Sequence, residues 1–251
     1  MTDPALLRRM NLLIIGQSHV GAIRAAAAAQ RAAVPNGYRT RVIHTLEDRY
    51  GGELEESKGE TQFSSALAEA IRDQIDRNAP RIVSVIGGNA HNALSLLRHA
   101  RPFDFRLAGD DTLPLDPGAE LIPEALVRAA LEDRLQRDLL RLALLRRLAG
   151  PYIHVESPPP LRESDYIAAH ADAYFQRKDG SVDVAGPGLR YRMWRLSAQI
   201  IRATVEALGC RTMAVPGEAR DDAGFLKLDF AGDATHGNAR YGELLIRALE
   251  A

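Results

Sequence analysis

This sequence predicts an α/β protein, a parallel sheet covered by helices on both faces, and three observations predict it. Asn11–Ile15 and Ile82–Ile86 are short, almost wholly apolar runs, and each is closed by glycine, Gly16 in one case and Gly87-Gly88 in the other. Between and after them the apolar residues recur at helical spacing, so strands alternate with helices. The strand runs are apolar on both sides instead of alternating with polar residues, the pattern of strands buried between two layers of helices.

Each element follows in order. An Ala-rich helix spans about Val20 to Ala33, Asn36-Gly37 makes a turn, and Arg41–Thr45 reads as the second strand. The charged stretch Glu47–Glu60 reads most simply as solvated, mobile surface, with the alternative that, following the second strand, it borders the site. Phe63–Arg77 is expected to be helical, because Phe63, Leu67, Ala70, Ile71 and Ile75 fall on one face. Pro80 marks the turn before the third strand, Ile82–Ile86. Pro102–Pro123 carries four prolines and reads as irregular connection. In Glu124–Ala149, Val127, Leu131, Leu135, Leu139 and Leu142 make a helical stripe. Pro123 suits its first turn, Arg146 and Arg147 its last, and Gly150-Pro151 stops it. Tyr152–Val155 is a fourth strand, running into Pro158–Pro160. A long loop with Tyr166, Tyr174 and Phe175 leads to a helix from about Leu189 to Leu208. Arg211–Val215 is a fifth strand, and Asn238–Leu249 a closing helix capped by Asn238. There is no internal repeat or linker, so residues 1–251 read as one domain with connecting insertions around 102–123 and 161–187.

Composition narrows the function classes. With 46% hydrophobic and 26% charged residues the chain matches an ordinary globular protein. Lys+Arg 32 against Asp+Glu 33 leaves no basic excess for tracking phosphates, so a nucleic-acid partner is not expected. The single cysteine, Cys210, excludes an intramolecular disulfide framework and a multi-cysteine metal site, and reads as a small buried hydrophobe. Arg8 and Arg9 precede only the short run Leu12–Ile15, too short for a signal segment, and no run approaches the roughly 20 residues of a membrane span. A cytoplasmic location and no membrane partner are the expectations.

In a doubly wound sheet, chemistry gathers at the carboxyl ends of the strands. After the first strand stands Gly16-Gln17-Ser18-His19-Val20-Gly21, after the third Gly87-Gly88-Asn89-Ala90-His91-Asn92, and before the last helix Asp233-Ala234-Thr235-His236. Ser18 at a helix start suits a nucleophile whose attack creates an oxyanion, although helix capping is the commoner use of such a serine. The spacing of Asp233 and His236 lets the carboxylate hold one imidazole nitrogen and leave the other for a nucleophile; a surface pair sharing a local hydrogen bond has the same spacing. Asn89 either aims its amide at the same crevice or serves as a turn residue. Together the three segments supply a nucleophile, a base with its orienter and an oxyanion donor, the parts needed for acyl transfer.

On these residues the sequence resembles the SGNH (GDSL-type) hydrolases. Gly16-Gln17-Ser18 is similar to the family's first block, Gly88-Asn89 to its third, and Asp233–His236, extended through Gly242, to its fifth. The resemblance covers about Leu12 to Ala248. It implies a three-layer α/β/α sandwich around a five-stranded parallel sheet of flavodoxin-like order 2-1-3-4-5, which would set Ser18 beside Asn89. It also implies a serine ester hydrolase with Ser18, Asp233 and His236 as triad. The oxyanion hole would combine Ser18, Asn89 and a second-block glycine, for which Gly59 is the best match and Gly51-Gly52 the rival. Such chemistry calls for no cofactor and no metal, and its partner is a small ester or an acylated sugar. Gln17 stands where the family usually has Asp or Asn, and His19 where a small or aliphatic residue is common.

Three other readings use the same residues. A degenerate SGNH-like protein would keep the pocket and bind without turnover. A dinucleotide-binding enzyme would use Gly16–Gly21 as a near G-x-G-x-x-G turn with Glu47 as ribose acid, but Ser18 replaces the glycine that lets backbone approach a pyrophosphate. A metal hydrolase would use His19, His91, Asp233 and His236, which lack a recognised ligand spacing.

Overall fold

Strand β1 (Leu12–Gly16) is buried at every position, as its apolar run requires, and lies inside a parallel sheet. The computed structural model describes residues 11–33, 40–109, 113–176 and 180–251, so the Asn36-Gly37 turn lies outside the described residues. Helix α1 (Val20–Ala33) leads to β2 (Thr40–His44), and α2 (Ser65–Asn78) to β5 (Arg81–Val85). Helix α4 (Glu124–Ala149) leads to β8 (Ile153–Val155), α6 (Pro187–Ala207) to β9 (Arg211–Met213), and α7 (Ala239–Glu250) closes the fold. The sheet order β2-β1-β5-β8-β9, parallel at every pairing, is the expected 2-1-3-4-5 order of its five strands.

The alternating side chains of β1 feed two cores. Leu12 and Ile14 pack with Val20, Ile23 and Leu245 from α1 and α7, whereas Leu13 and Ile15 pack with Leu67, Leu131 and Leu135 from α2 and α4. Burial of this kind contributes roughly 1.5–3 kcal/mol per large side chain. Asn238 caps α7 as expected, its side chain accepting from Tyr241 N. Cys210, Met193 and Trp194 are buried, and Trp194 Nε1 donates to Ser157 O at 3.1 Å.

Three stretches depart from the sequence reading. Glu47–Glu60 is not plain solvated surface. It holds a 3-10 turn (Asp48–Tyr50), the buried Glu53 and one arm of a hairpin, β3 (Leu54–Ser57) with β4 (Glu60–Phe63). Lys58 (φ 54°) and Gly59 (φ 79°) both adopt left-handed backbone, the requirement of a tight two-residue hairpin turn. Its arms carry few β-branched residues, so cross-strand polar pairs support it, such as Gln62 Nε2 to Glu55 Oε1 at 3.0 Å. Phe63 therefore ends a strand, and the helix begins at Ser65 with Ser64 as its cap. The stretch 102–123 contains the short parallel pair β6 (Phe103–Asp104) and β7 (Glu120–Leu121), and 161–187 contains α5 (Ser164–His170). The remaining short helix, α3 (Asn92–Ser95), follows the third sheet strand, β5.

Candidate active site

The register aligns Gly16 of β1 with Val85 of β5, so the loops that leave these two neighbouring strands emerge side by side. Ser18 lies in the turn between β1 and α1 and is exposed. The N–H groups of the first helical turn are met by backbone, Val20 N to Gln17 O and Gly21 N to Ser18 O, both 3.0 Å, and not by the serine hydroxyl. Capping is therefore not what Ser18 does here.

His236 comes from the loop before α7. Its Nδ1 lies 2.9 Å from Asp233 Oδ2 and 3.1 Å from Oδ1. Asp233 also accepts from the backbone N–H of Thr235 and of His236, each at 2.8 Å. Burial by itself would raise the Asp233 pKa; the bonds from the His236 ring and these N–H groups outweigh it and hold the carboxyl well below the usual carboxylate range. An ionised carboxylate only accepts, so Nδ1 carries the proton and Nε2 keeps its lone pair, the tautomer a general base needs.

That lone pair faces Asn89, whose Nδ2 lies 3.2 Å from His236 Nε2. Asn89 is turned this way by Asn92, whose Nδ2 donates to Asn89 Oδ1 at 2.9 Å, leaving the Asn89 amide N–H groups to point at the imidazole. No hydrogen bond joins the Ser18 hydroxyl to His236. The structure thus brings together Asp233, His236 and Asn89 as one hydrogen-bonded chain, with Ser18 on the adjoining turn.

His19 fills the space between that turn and the chain. Its ring tilts against the His236 ring, with centroids 4.7 Å apart, and lies on Gly88 so closely that a Cβ there would stand 1.9 Å from His19 Cδ2. Burial, then the neighbouring His236 and His91, lowers the His19 pKa to about 3, and burial does the same for His91. Both are neutral imidazoles at ordinary pH. Among the described residues, no three or more His, Cys, Asp or Glu side chains are arranged to hold a metal ion.

Gly59, the best-matching second-block glycine, is not brought to this cluster. Gly59 stands exposed at the β3–β4 tip, and the next residue, Glu60, pairs with Arg147 in the last turn of α4, at 3.4 Å. That turn leads into the amino end of β8, the sheet edge opposite the serine. Gly51 and Gly52 are exposed as well, with no heavy atom within 4 Å of a Cβ at either. The dinucleotide reading fares no better. Glu47 is engaged by Arg24 and Arg49, at 3.3 and 2.8 Å, and Gly21 has open space where that motif needs close helix–strand packing.

Sequence reasoning passed over Asn92, Thr235 and Asp138. Asp138 left a signal, since it interrupts the α4 stripe between Leu135 and Leu142, both fully buried.

No family profile matches the chain, and no curated protein matches it. Among solved structures it is similar to Axe2, an acetylxylan esterase from Geobacillus stearothermophilus, at 12% identity over 96% of this chain and 92% of that one, with a TM-score of 0.40. It is also similar to the periplasmic domain of a lipopolysaccharide acetyltransferase from Salmonella ser. Paratyphi A, at 10% identity over 98% and 87%, with a TM-score of 0.41. At such values neither protein's activity transfers to this chain. Among the described residues, no helix is long and apolar enough to cross a membrane.

Proposed function

We propose that this protein is a serine ester hydrolase of the SGNH type. The observation that carries the reading is the hydrogen-bonded chain Asp233–His236–Asn89 beside the exposed Ser18, at the carboxyl edge of the sheet. Ser18 Oγ attacks the ester carbonyl while His236 Nε2 takes its proton. For this to happen Asn89 must leave Nε2, and the same amide N–H then turns to the oxyanion that forms, joined by the Ser18 N–H. The imidazolium is stabilised by Asp233 and returns the proton to the leaving alcohol. Water, activated by the same histidine, then releases the acid.

A Ser18→Ala variant is expected to lose both hydrolysis of activated esters and labelling by a fluorophosphonate probe. Peptide mass spectrometry of the labelled wild-type protein should find the adduct on Ser18. Wild-type rates in the variant would refute the assignment. The resting bond from Asn89 to His236 favours a second reading, a binding protein with an SGNH-like pocket whose base is permanently occupied. Folded wild-type protein that takes no label at all would point there.

A further inference from the structure

Gln17, a departure from the SGNH pattern, is the best-connected residue of the nucleophile turn. Its Oε1 accepts from the Gly87 N–H at 3.3 Å, and its amide faces the carboxyl of Asp138 on α4 and favours the ionised form of that carboxyl. Gly87 opens the loop that carries Asn89. Asp138 packs directly on it: a Cβ at Gly87 (φ 86°) would lie 3.1 Å from Asp138 Cβ. Behind Asp138 the polar chain continues inward. Arg141 Nη1 donates to Asp138 Oδ1 at 2.8 Å, Arg141 Nε donates to the buried Glu53 at 2.6 Å, and the Thr45 hydroxyl donates to Glu53. Thr45 N in turn donates to Gly16 O at 2.9 Å, which closes the circuit at the end of β1.

We infer that Gln17 is a positioning residue that locks Ser18 and Asn89 in mutual register by bridging Gly87 and Asp138. The inference rests on the ester-hydrolase reading and extends it. A side chain that only filled space would not need its acceptor bonded to one loop and its amide set against a carboxyl of another element. A largely buried polar circuit of this kind resists displacement of any one member. Gln17 touches neither substrate nor the reacting atoms. Its loss moves two groups that do, and a displacement of about 1 Å costs on the order of 10²-fold in rate.

The test is the rate of fluorophosphonate labelling at Ser18, with far-UV circular dichroism to establish folding. Gln17→Ala is expected to slow labelling about 10- to 100-fold. Gln17→Glu keeps the acceptor for Gly87 but sets a carboxylate against Asp138, and should slow it comparably. Adding Asp138→Asn to Gln17→Glu moves the carboxylate from one partner to the other and restores the donor–acceptor pair. This double variant should recover to within a few-fold of wild type, a rescue that space-filling alone would not produce. If either single variant is labelled at the wild-type rate, or the double variant is as slow as Gln17→Glu or fails to fold, the inference is overturned and the ester-hydrolase reading stands. Wild-type protein that takes no label overturns both.

Discussion

The base loop and the nucleophile turn meet at the same edge of the sheet but are held by opposite means. In the base loop nearly every bond is local. Asp233 collects N–H groups from Thr235 and His236, Gly232 N donates to His236 O at 2.7 Å, and Asn238 Nδ2 donates to Asp229 O and Ala231 O. In the nucleophile turn the side-chain contacts are distant. Gln17 reaches Gly87, 70 residues along the chain, and the circuit behind it joins Arg141 to Glu53 across 88. The difference teaches that geometry set by local hydrogen bonds can fail chemically without disturbing the fold, whereas geometry set by long-range ties is bound up with the packed interior.

The largest test of that contrast is Asp233→Asn. A carboxamide no longer secures the Nδ1–H tautomer, and the loss of ester hydrolysis should be about 10⁴-fold. Because those bonds are local and partly exposed, the urea midpoint should fall only by what the ionised carboxylate contributes, far less than the activity does. A variant that loses stability in proportion to activity would break the comparison.

Acid separates the two regions next. His19 and His91 are kept neutral with pKa values of about 3, and His154 of about 4, chiefly by burial, against an ordinary value of 6.5. Between those values and pH 6.5 the unfolded chain binds more protons than the folded one. Stability therefore rises with pH through that window and levels off above it. Each histidine adds a slope of up to about 1.4 kcal/mol per pH unit. Asp233 acts in a lower window: its contribution is complete above the ordinary carboxyl range and is lost only as pH falls through its depressed folded value. Urea midpoints measured from pH 7 to 4 should fall steeply, and a flat profile would contradict the buried neutral histidines.

The smallest expected effect is at Gly21. It sits on α1 one turn from Ser18, with nothing within 4 Å of its Cβ position. Gly21→Ala should raise stability by up to about 1 kcal/mol in a thermal melt and leave Ser18 labelling unchanged. A loss of stability would mean that the helix packs more closely there than the open space implies.

The same contrast explains what was legible in the sequence. The two central strands follow from apolar runs closed by glycine, the sheet order from the resemblance to the SGNH hydrolases, and the Asp233–His236 pair from a three-residue spacing. Asn89 was readable by its place after β5, but the residue that turns it, Asn92, looked like one more polar residue of a loop. Gly59 drew the second-block assignment because Lys58-Gly59 reads equally as a hairpin turn, and the arms Leu54–Ser57 and Glu60–Phe63 have only Thr61 among the β-branched residues that announce strands. The circuit through Asp138, Arg141, Glu53 and Thr45 joins four segments, and its one trace in the sequence was a carboxylate on an apolar helical stripe.

The tie between Gln17 and α4 also bears on the order in which the molecule is completed. Long-range contacts form only after extended loops have closed, so α4 must dock on the sheet before the serine turn is fixed. The Asp233–His236 pair needs only its own stretch of chain. A partly folded chain would therefore present a ready base and an idle serine. On this reading, reactivity at Ser18 reports the finished native state, and chains stalled on the way to it stay chemically silent.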